Sequence, residues 1–214
     1  MNPSDFSLPI PDGSRRQLAR GWFLLGLVAL LVSGIFSVLL VLARAPYVQD
    51  FFPWVDFFHT ALVVHVDLSV LVWFLAFGGV LWSLNSTPRF LGAGRLALLL
   101  ALLGTLVMAT APFLGAGEAL MSNYIPVLQH PLFLAGLLLF AAGMFLLVLR
   151  AMGAIPPVGQ WMQGAAALRF GLNTAAVSAM LALMAFAWSY FTVPVTLRGK
   201  PYYELLFWGG GHVL

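Results

Sequence analysis

Four histidines carry most of the ligand chemistry open to this 214-residue chain, which has no cysteine and only 7 Asp and Glu residues. A neutral imidazole nitrogen is a good ligand for haem iron or copper. The lack of cysteine excludes disulfides, thiolate metal sites, iron–sulfur clusters and covalently attached c-type haem. Two of the histidines, His65 and His212, fall inside apolar runs, where an ionisable side chain is expensive and marks a functional site by default. Counted from the outer ends of those runs, His65 lies ~12 Å deep and His212 ~13 Å deep at 1.5 Å per residue. Two imidazoles at one level on different helices suit a pair of buried redox centres. A plain hydrogen bond to a neighbouring helix is the competing account of each.

The neighbours of these histidines sharpen the expectation. His212 follows Trp208-Gly209-Gly210-Gly211, and each glycine inside a helix gives up about 1 kcal/mol of propensity relative to Ala. Such a run suits a backbone that approaches something bulky, or else tight helix–helix packing of the small-residue kind. On the His65 face the residues four before and four after are Ala61 and Ser69, which leaves room for a flat macrocycle or for a close-packed helix. Asp67 lies about 200° around the helix from His65 at 100° per residue. It is expected to point away, into a polar relay or a hydrogen bond with another helix. His59 sits near the outer interface, where an imidazole is easily solvated. His130-Pro131 reads as a helix opening, with Pro where its missing N–H costs nothing.

The elements that must position these residues follow from composition. With 62% hydrophobic and 8% charged residues and a mean hydropathy of +0.98, the chain has too little charge to coat a water-facing surface, since soluble domains carry roughly 25%. The expected fold is an all-α integral membrane protein, a polytopic bundle forming one domain over residues 1–214. A span needs about 20 apolar residues. Five such runs are expected, over residues 21–43, 57–84, 96–113, 131–148 and 170–192, with a sixth begun at 203–214. Trp22 is placed as an interfacial ring near the start of the first. The sixth run holds only half a span and is expected to continue past Leu214. Arg15, Arg16, Arg20, Arg89, Arg95, Arg150 and Arg169 fall on one side, and Arg44, Arg198 and Lys200 on the other. The positive-inside rule then puts the amino terminus, residues 1–20, in the cytoplasm of a cell whose inner membrane holds the protein. Nucleic acid is not an expected partner; membrane lipid is.

The segment Phe57-Phe58-His59-Thr60-Ala61-Leu62-Val63-Val64-His65-Val66-Asp67-Leu68-Ser69 resembles the second helix of subunit I of the haem-copper oxidase superfamily, where a His near the outer end ligates low-spin haem. Leu206-Phe207-Trp208-Gly209-Gly210-Gly211-His212-Val213-Leu214 is similar to that family's sixth helix, whose Gly-His pair supplies a copper ligand. The resemblance implies the amino-terminal half of a twelve-helix catalytic subunit. It assigns His65 to the iron of a low-spin haem of b or a type and His212 to copper. A high-spin haem and the rest of the copper site would be completed by residues beyond Leu214. If propionates point outward, Arg198 and Lys200 are candidate contacts. Implied partners are the remainder of subunit I, other oxidase subunits, and cytochrome c or quinol as electron donor.

Two departures refine the branch. The mitochondrial-type oxidases follow the copper histidine with Pro and a proton-relaying Glu, whereas His212 is followed by Val213 and Leu214. Their Asp in the inner loop between helices two and three also has no counterpart in residues 85–95. A divergent oxygen reductase or a nitric oxide reductase-like branch fits better. The alternatives from other classes are a b-type cytochrome subunit that carries electrons without copper, and a non-redox transporter. A transporter would bring broken helices or several midplane carboxylates, and only Asp67 qualifies.

Overall fold

The computed structural model describes residues 7–11, 13–48, 56–115, 117–159 and 164–214; of the amino-terminal segment 1–20, residues 1–6 and 12 lie outside it. Six helices account for most of the described chain. They are α1 (Ser14–Leu42), α2 (Phe57–Leu84), α3 (Leu91–Thr110), α4 (Pro131–Gly153), α5 (Ala165–Thr192) and α6 (Lys200–Val213). The first five are long and apolar enough to cross a membrane, and the chain is an all-α polytopic membrane protein. α6 has 14 residues, or about 21 Å. Between α3 and α4 a two-stranded antiparallel hairpin, β1 (Glu118–Leu120) and β2 (Val127–Gln129), pairs Ala119 with Leu128 at its centre.

α1 begins well before the first uncharged run and carries Arg15, Arg16 and Arg20 in its opening turns. Charges mark where the lipid ends, while a helix can continue into the headgroups. His130 caps α4 in extended conformation, its Nδ1 accepting from the Leu132 amide at 3.2 Å, with Pro131 as the first helical residue. That is the opening role its sequence suggested, and it satisfies one of the helix's orphan donors.

α3 and α4 form the tightest pair, joined through small residues. A Cβ on Gly104 would lie 2.4 Å from the Phe140 backbone nitrogen and 2.6 Å from the Gly136 carbonyl. A Cβ on Gly143 would lie 2.7 Å from the Ala101 nitrogen. Positions 97, 101, 104 and 108 on α3 thus meet 136, 140 and 143 on α4, all of them buried. Two backbones in direct contact gain dispersion along their whole length, the main attraction available between helices in lipid. α1 lies against α2, where Trp73 and Ala76 face Gly26.

Trp22 corrects the sequence-based placement. It is fully buried, seated on Gly79 of α2, where a Cβ would come within 2.4 Å of the indole. The notch left by Gly79 draws the ring inward, so it serves as core and not as an interfacial anchor. The lipid-facing surface comprises residues such as Leu31, Ile35 and Val38 on α1 and Leu181, Met184 and Phe191 on α5, all exposed.

Within α2 the backbone changes pitch. Phe57–Val66 is α-helical, Asp67–Val72 is π-helical, and Trp73–Leu84 returns to α. Across the change, buried residues recur at 64, 68, 72 and 76, three successive steps of four. An α-helix of 3.6 residues per turn would drift by about 40° at each such step. The wider π turn absorbs that drift. Segments of this kind are rare and frequently accompany functional sites.

Candidate functional site

His65 is the last residue but one before the π segment, and its ring is held by α1. Its Nδ1 lies 2.9 Å from Ser33 Oγ, 3.0 Å from the Ser33 carbonyl oxygen and 3.2 Å from Ser37 Oγ. Ser33 Oγ also donates to the His65 carbonyl at 3.0 Å, which spends the hydroxyl proton. A carbonyl oxygen only accepts, so the network assigns the ring proton to Nδ1, with Ser33 as its acceptor. Nε2 then keeps its lone pair. Holding the far ring nitrogen on a carbonyl is how proteins orient a metal-ligating imidazole. Ser69 Oγ turns back to the His65 carbonyl at 2.7 Å.

Of the two small residues flanking His65, Ala61 is fully buried in the chain's own core, and only Ser69 stays half-buried. Asp67 has surroundings different from those of His65, as the angular count required. It is 1% exposed, and neither carboxylate oxygen has a hydrogen-bond partner among the described residues. The hydrogen bond to a neighbouring helix that the sequence allowed is thus absent among the described residues.

His212 shows the same pattern of ring contacts on the other helix. Its Nδ1 lies 3.0 Å from the Trp208 carbonyl oxygen and 2.7 Å from Tyr124 Oη. The carbonyl favours a proton on Nδ1, and Tyr124 Oη also lies 3.4 Å from Nε2, where its hydroxyl can donate. The ring leans on the Trp208 indole at 4.4 Å between centroids and is exposed. From the first residue of each helix, His65 is eight residues along and His212 twelve, so equal depth does not follow from the helix starts alone. Among the described residues no hydrogen bond or ring contact joins the two histidines, and no group of three His, Asp or Glu side chains converges.

The glycines before His212 are filled by the protein itself. A Cβ on Gly210 would come within 2.4 Å of the Phe186 ring of α5, and one on Gly211 within 2.2 Å of Tyr124 Cδ1. The bulky neighbours that the run admits are aromatic rings of this chain, Phe186 and Tyr124. Tyr124 comes from the turn of the hairpin, which Glu204 of α6 also holds by accepting from the Asn123 amide at 3.2 Å. A Gly211→Ala substitution should therefore expel the phenol from its seat and break its contact with His212. Nitration of Tyr124 by tetranitromethane, read by peptide mass spectrometry, should rise severalfold. Gly209→Ala, whose Cβ would meet Ser189 Oγ at 3.3 Å and Ala185 Cβ at 3.9 Å, should leave it unchanged.

The remaining candidates are placed as follows. Arg198 is exposed. Lys200 lies 3.8 Å from Glu204, a pair within one turn of α6. His59 is exposed and held by Asp56, three residues earlier. Ser33, Ser37 and Tyr124 are the contributors that reading the sequence missed. The two serines had a legible signal, a polar pair four apart in an otherwise apolar helix. Tyr124 had none, because nothing in a loop's composition says which helix it covers.

The fold and these ring contacts define a multi-pass helical membrane protein in which two histidines on different helices each place Nδ1 about 3.0 Å from a backbone carbonyl. No protein-family model matches the chain, and no solved structure matches it. It is similar to an uncharacterized protein of Aquifex aeolicus (strain VF5), 35% identical over 191 residues that cover 89% of this chain and 48% of the relative. It is also similar to an uncharacterized protein of Rickettsia prowazekii (strain Madrid E), 29% identical over 227 residues covering 92% of this chain and 44% of the relative. The chain spans about half the length of these curated relatives.

Proposed function

We propose that the chain is the amino-terminal part of the catalytic subunit of a haem-copper-type respiratory reductase, with oxygen or nitric oxide as the electron acceptor. The observation that carries this reading is the shared placement of Nδ1 of His65 and His212 about 3.0 Å from a backbone carbonyl. Such a contact favours a proton on Nδ1 and would leave Nε2 to a ligand. His65 would hold a low-spin haem and His212 a copper ion, the bound groups supplying one-electron transfer toward the acceptor. Ser33 and Ser37 fix the plane of the His65 ring and exclude its other tautomer. For His212 the Trp208 carbonyl stands beside Nδ1, while Tyr124 Oη and the Trp208 indole hold the ring in place. Lys200 would leave Glu204 to reach a propionate, whereas Arg198 is unengaged among the described residues.

The amino terminus would face the cytoplasm, with the protein in the inner membrane of the cell. Arg150 drops out of the charge count because it is buried, leaving six cations against three, which preserves the bias. Membrane lipid is a partner of the five spans. The rest of the subunit, further oxidase subunits and cytochrome c or quinol belong to the proposal.

The deciding measurement is the optical spectrum and metal content of the protein purified from its native membrane. An a- or b-type haem spectrum together with copper is the expected result. Haem without copper would favour a b-type electron carrier, and neither would overturn the redox reading. Residues 1–214 expressed alone should insert in the membrane yet hold no stoichiometric copper and reduce neither oxygen nor nitric oxide. One imidazole offers a single bond where a stable copper site needs about three nitrogen or sulfur ligands. One tightly bound copper per chain would show that the centre is built differently.

A further inference from the structure

At the end of the bundle where α1 begins, two arginines converge on one serine. Arg150, in the last turn of α4, is 2% exposed. Its Nη2 donates to Ser86 Oγ at 3.1 Å, while Nε and Nη1 have no acceptor among the described residues. Arg15 donates from Nη1 to the backbone oxygen of the same serine. The buried hydroxyls of Ser83 and Thr87, in and after the last turn of α2, also lack partners there. Gly94 makes the slot, since a Cβ on it would lie 2.8 Å from Arg150 Cδ and 2.9 Å from Nε. Arg150 is thus built into the helix junction and not draped over the surface. The ion pairs among the described residues are His59 with Asp56 and Lys200 with Glu204, so no carboxylate there neutralises either guanidinium.

A guanidinium is a permanent cation, and a buried one without an opposing charge is strongly disfavoured. We propose that this cluster binds a phosphoryl group, carried by an anionic lipid headgroup or by free phosphate. The planar guanidinium fork matches phosphate oxygens, and paired N–H donors to an oxyanion are among the strongest hydrogen bonds a protein makes. Arg15, half-buried, and the buried Arg150 share Ser86, and Ser83 and Thr87, within three residues of it in the chain, offer hydroxyls without a partner among the described residues. Basic sites between transmembrane helices on the cytoplasmic side take anionic headgroups in just this way. The site is remote from His65 and His212 in the chain's contacts, and it stands or falls independently of the redox reading.

The test uses the purified protein in neutral detergent and in bilayer discs. Inorganic phosphate, titrated against sodium chloride at matched ionic strength, should raise the thermal midpoint saturably, by about 3 °C or more at saturation. Arg15→Gln and Arg150→Lys should each weaken the apparent affinity about tenfold or more, because they remove a cation or the fork. Arg89→Gln, at an exposed arginine on the same end, should not. Saturation by phosphate alone identifies free phosphate as sufficient. Stabilisation only in discs containing phosphatidylglycerol, and not in phosphatidylcholine discs, identifies the lipid headgroup. No saturable response to either, or an equal response in the Arg15 variant, overturns the proposal. Should Arg150→Lys fail to fold, Arg15→Gln decides the matter, because that side chain is half-exposed.

Discussion

If the chain holds low-spin haem as proposed, replacing His65 with Ala should abolish its spectrum in the protein purified from its native membrane, while the protein still inserts. The expected effect is total, because His65 would be the residue of this chain that holds the haem and the Ser33 and Ser37 hydroxyls that remain are poor haem ligands. Ser33→Ala provides the graded counterpart. It removes one of the atoms around Nδ1 but leaves the Ser33 carbonyl at 3.0 Å, so haem affinity should fall by about 10-fold to 100-fold without disappearing. An unchanged low-spin spectrum in His65→Ala would remove His65 from the site, and an unchanged affinity in Ser33→Ala would remove the supporting role of the serine.

Gly104→Val should be the most damaging single change to the fold. The first added carbon already falls 2.4 Å from a backbone nitrogen and 2.6 Å from a carbonyl oxygen of α4, neither of which can rotate away. The helices must separate along the Gly104–Gly136–Gly143 seam, losing contacts as well as gaining strain, at a cost of about 3 kcal/mol or more. Gly34→Val is the control, since nothing lies within 4 Å of its added carbon. Thermal unfolding in detergent should show a collapse of the midpoint for the first and little change for the second. Equal midpoints would mean that the α3–α4 seam is not where stability resides.

The spans were legible because lipid forces each crossing to be long, apolar and helical. α2 runs from Phe57 to Leu84, the range its hydropathy suggests. Helix ends were less legible, as α1 shows with three arginines inside its first turns. Charge reports the headgroup boundary and not the last helical hydrogen bond. The importance of His65 could be read from its rarity, but its partners depend on how α1 and α2 are rotated, which no single helix encodes. The glycines at 209–211 announced a close approach without saying to what. Trp22 shows the same limit from the other side, because its destination was decided by Gly79, 57 residues later in the chain. The hairpin escaped notice for want of period, since strands of three residues each are too short to display an alternation.

The π-helical stretch of α2 has a consequence for any variant or relative placed beside this chain. A wide turn is equivalent to one residue inserted into a regular helix, so the halves before Asp67 and after Val72 are out of phase by about 100°. A homologue with an unbroken helix could present the same histidine to α1 and the same Trp73–Ala76 face to Gly26 with one residue fewer between them. Matching two such chains position by position would then misassign every side chain on one half of the helix. Within this chain, forcing the stretch to regular α-helical spacing with all of its residues kept would break that compensation. One half would then have to turn relative to the other, exchanging the contacts of His65 for lipid or those of Trp73 for empty space. The length of that stretch, more than the identity of its apolar side chains, is the quantity on which the aim of His65 depends.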